Sequence, residues 1–365
     1  MSVDRLQALQ TQMRDADVAV TLIGPGPDLR YLVGYHALPL ERLTLLIVPA
    51  HGDASLVVPE LEVERATRSG AGTFAELVEW AETDDPLDMA VSRFAGTVSS
   101  GGGCIAVQDR MWASFLLGFQ HRVAAEWLPA SRLMRSLRMI KTPEEIKALA
   151  AAGRAIDAVH AQVPSLLAEG RSERDIGHEI AELILVEHEE VNFVIVASGP
   201  HGASPHHETG DRRLVEGDTV VVDIGGTRQG YCSDITRNYA LGDPGADYAA
   251  MHEVLEIAQR AALDAVRPGI TAGDVDRAAR DVLSAAGYGE AFIHRTGHGI
   301  GLEEHEEPWI VAGNTQVLRE GMAFSIEPGV YLRDRYGARI EDIVVVGPSE
   351  AILLNHVPRS LTVVG

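Results

Sequence analysis

The chain has 365 residues, of which 46% are hydrophobic and 23% are charged, and its formal net charge is −22 at pH 7. This length is comfortable for two domains, and the composition is typical of soluble globular proteins. The acidic excess argues against a nucleic-acid partner, because a phosphate backbone is bound by a basic surface, and no apolar run reaches the ~20 residues of a membrane-spanning helix.

The first part of the chain, residues 1–135, is predicted to be an α/β domain. Its initial segment, residues 1–19, lacks the apolar stretch of a signal peptide, so we expect a cytoplasmic protein. A glycine-rich turn is predicted at residues 99–103. The two cysteines, Cys104 and Cys232, are too few for a disulfide framework and are expected to be reduced. Short apolar runs beside turn residues predict four strands, at 18–23, 43–48, 55–58 and 104–107.

The second domain, residues 136–365, is predicted to begin just before a strong helix start. Thr142 is a good N-cap, and Glu145 stands where a capping box places an acid. Pro143 suits the first position of the helix. The helix is predicted to run to about residue 168, shortly before a glycine.

An internal repeat runs through the second domain. Residues 214–218 resemble residues 318–322, and the same offset of 104 carries Asp223 onto Glu327. An upstream pair of segments, about a hundred residues apart, matches in the same order. Each half is predicted to be a helix pair followed by strands. Two such halves facing each other give a sheet with helices outside and a cleft inside.

Four acids of this domain are predicted to face each other in two hairpins. Asp223 and Asp234 are expected to lie opposite each other in the first hairpin, and Glu327 and Glu341 in the second. Facing carboxylates about 5 Å apart in apolar strands repel unless a cation joins them. For any single acid, a solvated strand end is the simpler interpretation, but the matched pairs favour a metal site.

A fifth ligand candidate is His298, in the sequence TGHGIG at residues 296–301. The glycines let the backbone approach closely and leave the imidazole free to bind. Hard carboxylates with one imidazole suit a pair of Mn²⁺-like ions better than a single structural zinc, and a paired metal site activates water for hydrolysis. His201 and His207 are expected to be ordinary structural histidines.

The order of these residues resembles that of the pita-bread metallopeptidases, which include methionine aminopeptidase, Xaa-Pro aminopeptidase and prolidase (Xaa-Pro dipeptidase). The resemblance rests on an Asp followed by a second Asp eleven residues later, on a Gly-His-Gly segment, on a Glu before Pro-Gly and on a Glu in Arg-Ile-Glu-Asp. The sequence YLVGY at residues 31–35, followed by Arg42, resembles the creatinase/prolidase N-terminal domain, which methionine aminopeptidases lack.

The resemblance implies an α/β (α+β) architecture with two domains. Residues 1–135 would form the creatinase/prolidase-like α/β domain, and residues 136–365 the pita-bread catalytic domain with an internal pseudo-twofold repeat. Creatinase shares both domains but lacks the metal ligands, and all five are present in this chain.

A role for each site residue follows from the same resemblance. Asp223 would hold one metal ion, Asp234 and Glu341 would bridge both ions, and His298 and Glu327 would complete the other. Glu327 would also carry the proton during catalysis.

Four further residues are implied in contacts with the substrate. His206 and His305 match catalytic histidines beside the scissile bond. His294 and Arg339 match residues that bind the substrate.

The implied activity is hydrolysis of the Xaa-Pro bond of proline-containing peptides, foremost as an Xaa-Pro dipeptidase. Two Mn²⁺ ions are expected, with Co²⁺ or Zn²⁺ as alternatives, in a homodimer. Open alternatives are an Xaa-Pro aminopeptidase for longer peptides, a non-catalytic peptide-binding relative and a creatinase-like hydrolase.

The sequence departs from the prolidase pattern at Trp309, because several prolidases carry an arginine at this position, four residues after that of His305. Tryptophan cannot bind a carboxylate bidentately, so dipeptidase action would need another cation.

Overall fold

The computed structural model describes residues 4–98 and 103–365. The chain divides into two compact units, residues 1–138 and 139–365. Within the described residues, no helix is both long and apolar enough to cross a bilayer. The predicted glycine-rich turn falls, except for its last residue, outside the described part of the chain.

A six-stranded sheet with order β4-β3-β2-β1-β5-β6 forms the centre of the first unit. Its elements are α1 (Asp4–Asp15), β1 (Val18–Ile23), α2 (Pro27–Val33), β2 (Leu45–Pro49), β3 (Ala54–Pro59), α3 (Val63–Arg68), β4 (Ala75–Trp80), α4 (Pro86–Phe94), β5 (Cys104–Val107), α5 (Ala113–Arg122), β6 (Glu126–Pro129) and α6 (Ser131–Met139), with 3-10 turns at Glu60–Glu62 and Ala71–Thr73. The four predicted strands are confirmed as β1, β2, β3 and β5. Strand β1 pairs antiparallel with β2 and parallel with β5.

Apolar side chains from this sheet and from α4 and α5 form the core of the first unit. The rings of Phe94 and Phe119 meet edge to face, with centroids 6.2 Å apart. Such a core explains why the apolar runs in this part of the sequence predict strands correctly, since each run packs one or both faces into the interior. Both cysteines of the chain are free thiols, as predicted.

The second unit contains a four-stranded sheet (β17-β9-β8-β7), a five-stranded sheet (β11-β10-β12-β15-β16) and the hairpin β13-β14. Its elements are α7 (Pro143–His160), α8 (Val163–Leu166), α9 (Glu173–Ile184), β7 (Glu190–Ser198), β8 (Thr219–Arg228), β9 (Tyr231–Leu241), α10 (Ala246–Ala265), α11 (Ala272–Ala285), β10 (Gly297–Gly299), β11 (Glu306–Ile310), β12 (Ala323–Ile326), β13 (Gly329–Leu332), β14 (Tyr336–Arg339), β15 (Asp342–Val346), β16 (Ala351–Leu353) and β17 (Thr362–Val364), with 3-10 turns at Gly199–Ala203 and Gly289–Ala291.

Matching hydrogen bonds mark the two halves of the repeat. The amide of Gly170 donates to the carbonyl of Leu214 at 2.8 Å, and the amide of Gly269 donates to that of Leu318 at 2.9 Å. The residue two positions after each glycine caps the next helix, α9 or α11. Each half is thus a set of helices followed by strands, as the repeat predicts.

The first helix of this unit starts as predicted but ends earlier. The Thr142 hydroxyl accepts from the amide of Glu145 at 3.3 Å, and the Glu145 carboxylate accepts from the amide of Thr142 at 2.9 Å. The prediction of a helix to about residue 168 is wrong, because α7 ends at His160 and the short α8 follows. Pro164 lacks an amide proton, and its ring would clash with the carbonyl four residues earlier.

The β8–β9 hairpin has a different register from the predicted one. Asp223 pairs with Thr236 and Asp234 pairs with Gly225, so the two acids are diagonal neighbours and the prediction that they lie opposite each other is wrong. The turn consists of residues 229–230, whose φ angles of 51° and 86° are both positive, as in a type I′ turn. Because the register differs by two residues, both acids still project from the same face.

The second predicted acid pair keeps its register. The β12–β15 ladder ends at the pair Ile326 and Asp342, and β13 and β14 continue the same register beyond it. Glu327 directly follows β12, and Glu341 directly precedes β15. Both acids therefore stand at facing positions between two paired segments.

Candidate metal centre

A cavity of about 820 Å³ in the second unit is lined by every residue predicted for the site. These residues are Asp223, Asp234, His298, Glu327 and Glu341, the five predicted ligands, together with His206, His294, His305 and Arg339. We call the first five the candidate metal centre. They come from five different strands or strand ends, and the tertiary fold brings them together.

Glycines on both sides of His298 let β10 pack closely against its neighbours. A Cβ atom on Gly297 would overlap the carbonyl of Ser325, and one on Gly299 would overlap the backbone of Glu307. The His298 amide donates to the Ser325 hydroxyl at 3.0 Å, and its Nδ1 donates to the carbonyl of Gly299 at 3.2 Å. The Nε2 atom is left as a lone-pair donor toward the cavity.

Three carboxylates surround the Nε2 atom of His298. The nearest oxygen belongs to Glu327 at 3.3 Å, followed by Asp234 at 3.8 Å and Glu341 at 3.9 Å. One ligand atom each of Asp234, His298 and Glu341 lies within 4.8 Å of the others. Asp223 lines the same cavity. The ligand set predicted from the sequence is thus spatially compact.

Three buried carboxylate oxygens in this centre have no hydrogen-bond partner within the described residues. They are Oδ1 of Asp223, Oδ1 of Asp234 and Oε1 of Glu341. Leaving a buried charged oxygen unpaired is costly, and a bound cation would remove that cost. Four carboxylates with one imidazole are ligands that suit hard divalent ions such as Mn²⁺. The residues present therefore fit a pair of divalent cations.

The electrostatics of the centre lead to the same conclusion. Burial, reinforced by the neighbouring carboxylates, raises the pKa of Asp234 and of Glu341 well above the ordinary range. Burial likewise raises the pKa of Glu327 to about 7. Burial and the nearby His305 hold the pKa of His298 well below its usual range. Without a cation, it is therefore unfavourable for several of these buried carboxylates to be ionised at the same time.

Arg339 is buried and uses its guanidinium on protein acceptors. It forms an ion pair with Asp223 and donates to the Tyr331 hydroxyl at 2.8 Å and to the Thr236 hydroxyl at 3.1 Å. Thr236 in turn donates to Glu341 at 2.8 Å. These contacts orient two of the predicted ligands. Direct contact between Arg339 and the substrate stays a prediction.

His294 lies in a hydrogen-bonded chain beside the cavity. Its Nδ1 donates to the carbonyl of Arg295 at 2.7 Å, and its Nε2 accepts from the Tyr331 hydroxyl at 2.9 Å. Burial lowers the pKa of His294 to about 4, so the ring is neutral near pH 7. Both ring nitrogens are occupied, and its substrate-binding role stays a prediction.

His206 and His305 are the more accessible histidines of the cavity. Both side chains are exposed. The ring of His305 lies 4.0 Å from that of His298, centroid to centroid. Partial desolvation and the charge of Arg295 lower the pKa of His305, which favours the neutral ring. Both histidines are placed to donate hydrogen bonds to a substrate.

Three residues that sequence analysis did not single out also belong to this site. Thr236 connects Arg339 to Glu341, Tyr331 connects Arg339 to His294, and no local pattern marks either residue. Arg295 lines the cavity and lies over Trp309, with its Cζ atom 4.3 Å from the ring centroid. The sequence feature that could have indicated Arg295 is its position between His294 and His298, two predicted site residues.

A second group of histidines and acid lies elsewhere in this unit, and we call it the Glu173 cluster (Glu173, His201 and His207). Glu173 accepts from both histidines at 2.9 Å, from the amide and hydroxyl of Ser198 at 2.8 and 2.6 Å, and from the amide of Gly210 at 3.3 Å. Burial alone would raise the pKa of Glu173, but these donors outweigh burial and lower it. The histidines expected to be structural therefore bind this carboxylate.

Comparison with known proteins gives two family matches. Residues 147–348 match Metallopeptidase family M24, and residues 5–140 match the Creatinase/Prolidase N-terminal domain. The two matches together span most of the chain.

Individual relatives cover nearly the full length. A probable dipeptidase PepE of Mycobacterium tuberculosis is 50% identical over 363 residues, which are 99% of this chain and 96% of the relative. An Xaa-Pro dipeptidase of Lactobacillus helveticus is 33% identical over 366 residues, with 98% of each chain covered. The crystal structure of dipeptidase PepE from Mycobacterium ulcerans superposes with a TM-score of 0.93 at 49% identity, covering 99% of this chain and 97% of that one.

Proposed function

We propose that this chain, which belongs to metallopeptidase family M24, is a metal-dependent exopeptidase that hydrolyses the Xaa-Pro bond, with Xaa-Pro dipeptides as its main substrates. The observation that carries the proposal is the candidate metal centre, in which the five candidate ligands line one cavity and three buried carboxylate oxygens have no hydrogen-bond partner among the described residues. Relatives named dipeptidase and Xaa-Pro dipeptidase support the substrate class.

Two divalent cations would be held by the five residues of the candidate metal centre. Mn²⁺ is the first choice, and Co²⁺ and Zn²⁺ are the alternatives. Bound there, the ions supply Lewis-acid polarisation of the scissile carbonyl and lower the pKa of a water molecule.

The side chains around the cavity perform the remaining tasks. Glu327, which lines the cavity, accepts and returns a proton during peptide cleavage. His206 and His305 donate hydrogen bonds to the oxygen of the scissile carbonyl as negative charge develops on it. The acidic cavity attracts the free amino group of a short peptide, which favours action at the chain end.

Further parts of the proposal concern the whole protein. We propose a cytoplasmic homodimer whose domains are residues 1–135 and 136–365, as the resemblance implies. The matched ranges of the two families and the two compact units support a division close to this point. Sedimentation velocity on the full chain tests the oligomeric state, and a monomer at all concentrations would contradict the homodimer.

The test of function uses the Mn²⁺-loaded protein with and without a chelator, on the dipeptide Ala-Pro and the tripeptide Ala-Pro-Ala. We expect chelator-sensitive cleavage of the dipeptide in preference to the tripeptide. Turnover that persists after complete metal removal contradicts the proposal. Cleavage of neither peptide by protein with two bound ions points to another substrate, and cleavage of neither without bound metal favours a binding role.

Xaa-Pro aminopeptidase activity is the second candidate, and Trp309 is the observation that favours it. The Trp309 side chain carries no charge that could bind the carboxylate of a dipeptide. A longer peptide, which has no carboxylate at that point, would therefore bind beside Trp309 as well as a dipeptide does. Cleavage mainly of Ala-Pro-Ala in the same experiment would support this candidate.

A further inference from the structure

One cation in the cavity has no acidic partner. Arg295 and Arg339 are the two arginines that line it. Arg339 is paired with Asp223, whereas the guanidinium of Arg295 forms no ion pair or hydrogen bond with any described residue. Arg295 is half-buried, and this burial lowers its pKa, although a guanidinium remains charged in proteins. A half-buried cation facing a cavity without a bonded anion suggests that the anion comes from a ligand.

The side chain of Arg295 is nevertheless held in place. Its Cζ atom lies 4.3 Å above the centroid of the Trp309 ring. Stacking of this kind uses the face of the guanidinium and leaves the N–H groups at its edge free to donate. Trp309 thus orients the cation without consuming its hydrogen-bonding capacity.

The backbone around Arg295 is also fixed. Its carbonyl accepts from His294, and the carbonyl of His294 accepts from Arg280 at 2.9 Å. On the other side, the hydroxyl of Thr296 donates to Asp276 at 2.8 Å. A side chain anchored on both sides, stacked and without a partner, has the features of a preorganised binding group.

Arg295 also lines the same cavity as the groups proposed to act on the substrate. Glu327, His206 and His305 line this cavity together with Arg295. A short peptide bound in the cavity can therefore present its scissile bond to those groups and its carboxylate to Arg295.

We propose that Arg295 binds a carboxylate group of the substrate and that this group is the C-terminal carboxylate of an Xaa-Pro dipeptide. The inference rests on the proposed function and deepens it, because it names the residue that would favour dipeptides over longer peptides. A planar guanidinium with free N–H groups matches a carboxylate bidentately. An acidic side chain on the first residue of the peptide offers the same chemistry, and the experiment separates the two.

The experiment measures kcat/KM of the Mn²⁺-loaded protein for Ala-Pro and for its C-terminal amide. Arg295→Gln removes the charge, whereas Arg295→Lys keeps the charge but lacks the planar guanidinium that binds a carboxylate bidentately. Arg333→Gln, on a fully exposed arginine, is the matched control. We expect Arg295→Gln to lower kcat/KM for Ala-Pro roughly 10- to 100-fold, with a smaller loss in Arg295→Lys. Cleavage of the amide is expected to be weak in the wild type and nearly unchanged in the variants.

A second pair of substrates, Asp-Pro and Asn-Pro, separates the two sources of the carboxylate. Loss confined to Asp-Pro would assign Arg295 to the first residue and overturn the C-terminal assignment. Equal losses for Ala-Pro and its amide would indicate a general effect on catalysis and would also overturn it. Because Arg295 stacks on Trp309, the melting temperature and metal content of each variant are measured as well, and kcat/KM values are compared among variants that keep the fold and the metal.

Calorimetric titration with L-proline and L-prolinamide provides a readout besides activity. We expect proline to bind the Mn²⁺-loaded wild type more tightly than prolinamide, and Arg295→Gln to abolish the difference. A wild type that does not distinguish the two ligands overturns the inference. If the wild type cleaves no Xaa-Pro peptide, the proposed function fails, while this titration still decides whether Arg295 binds a carboxylate.

Discussion

Among its described residues, the second unit contains two groups of histidines and acids whose carboxylates differ in their hydrogen bonding. In the Glu173 cluster, one carboxylate accepts hydrogen bonds from five donors, two of them histidines. In the candidate metal centre, Asp234 and Glu341 each have a buried oxygen that no described residue hydrogen-bonds. The pKa of Glu173 is lowered by its donors, whereas burial and neighbouring acids raise the pKa of Asp234 and Glu341.

This difference separates a structural carboxylate from a candidate metal ligand. In each group, ligand atoms of three residues lie within 4.8 Å of one another. Only in the candidate metal centre are acids gathered without enough donors to neutralise them, so that a cation completes the bonding. The supply of donors, and not the presence of histidine beside acid, distinguishes the two.

The largest expected effect comes from Asp234→Asn. Removing one ligand charge should weaken metal binding and lower kcat for Ala-Pro at least a thousandfold, about 4 kcal/mol. The fold should persist, because the substitution removes charge from a group of acids that repel each other. Metal content, circular dichroism and kcat are measured together, with the exposed Asp264→Asn as control. Full activity of Asp234→Asn would falsify the ligand assignment.

Glu173→Gln should act on stability and leave metal binding intact. The amide cannot accept from all five donors, so we expect the free energy of unfolding to fall by about 3–5 kcal/mol. Denaturant titration measures this change, and the exposed Glu169→Gln controls for loss of charge in the same segment. Loss of one bound metal ion without a change in stability would instead make the Glu173 cluster a metal site.

The two groups should also differ in how stability depends on pH once metal is removed. The pKa of Glu327 is about 7 in the folded chain, against an ordinary value of 4.5. Between these values the folded chain retains a proton that the unfolded chain has lost. The free energy of unfolding therefore falls as pH rises across this window, by about 3 kcal/mol from this residue. Glu173 contributes nothing there, because its lowered pKa leaves it ionised in both states.

Scanning calorimetry of the chelated protein at pH 5 and pH 7.5 checks this dependence. Glu327→Gln should flatten the trend, and Mn²⁺ should restore more stability at pH 7.5 than at pH 5 because it neutralises the ionised acids. Stability that rises between the two pH values in the chelated protein would contradict the assignment.

The smallest expected effect is that of His201→Gln. His201 supplies one of the five donors to Glu173, and more than a third of its side chain is exposed. We expect a loss of about 1 kcal/mol in the free energy of unfolding, with unchanged metal content and activity. A loss as large as that of Glu173→Gln would show that the five donors act as one cooperative network.

The sequence was sufficient to predict much of the fold and the members of the candidate site. Apolar runs beside turn residues predicted the strands of the first unit, and the capping box at Thr142 predicted the start of α7. Acids inside apolar strands and a glycine-flanked histidine were recognisable as candidate ligands, because a buried charge without a local partner is unusual in a sequence; their binding of metal stays a prediction.

Other features depended on contacts that no local pattern contains. The register of the β8–β9 hairpin was decided by which two residues adopt positive φ, and α7 ended at His160, before Pro164, which the predicted helix had spanned. The pairing of Arg339 with Asp223 joins residues 116 positions apart, and Arg295, which precedes β10, stacks on Trp309 of β11.

Chemical type and periodicity are properties of short segments, so the sequence by itself determined which residues are buried, charged or able to bind metal. Whether a given carboxylate is saturated by donors, as Glu173 is, or left for a cation, as Asp234 is, depends on which distant groups the folded chain places around it. Only the tertiary structure decides that, because hydrogen bonds and ion pairs act over a few ångströms of space and not along the chain.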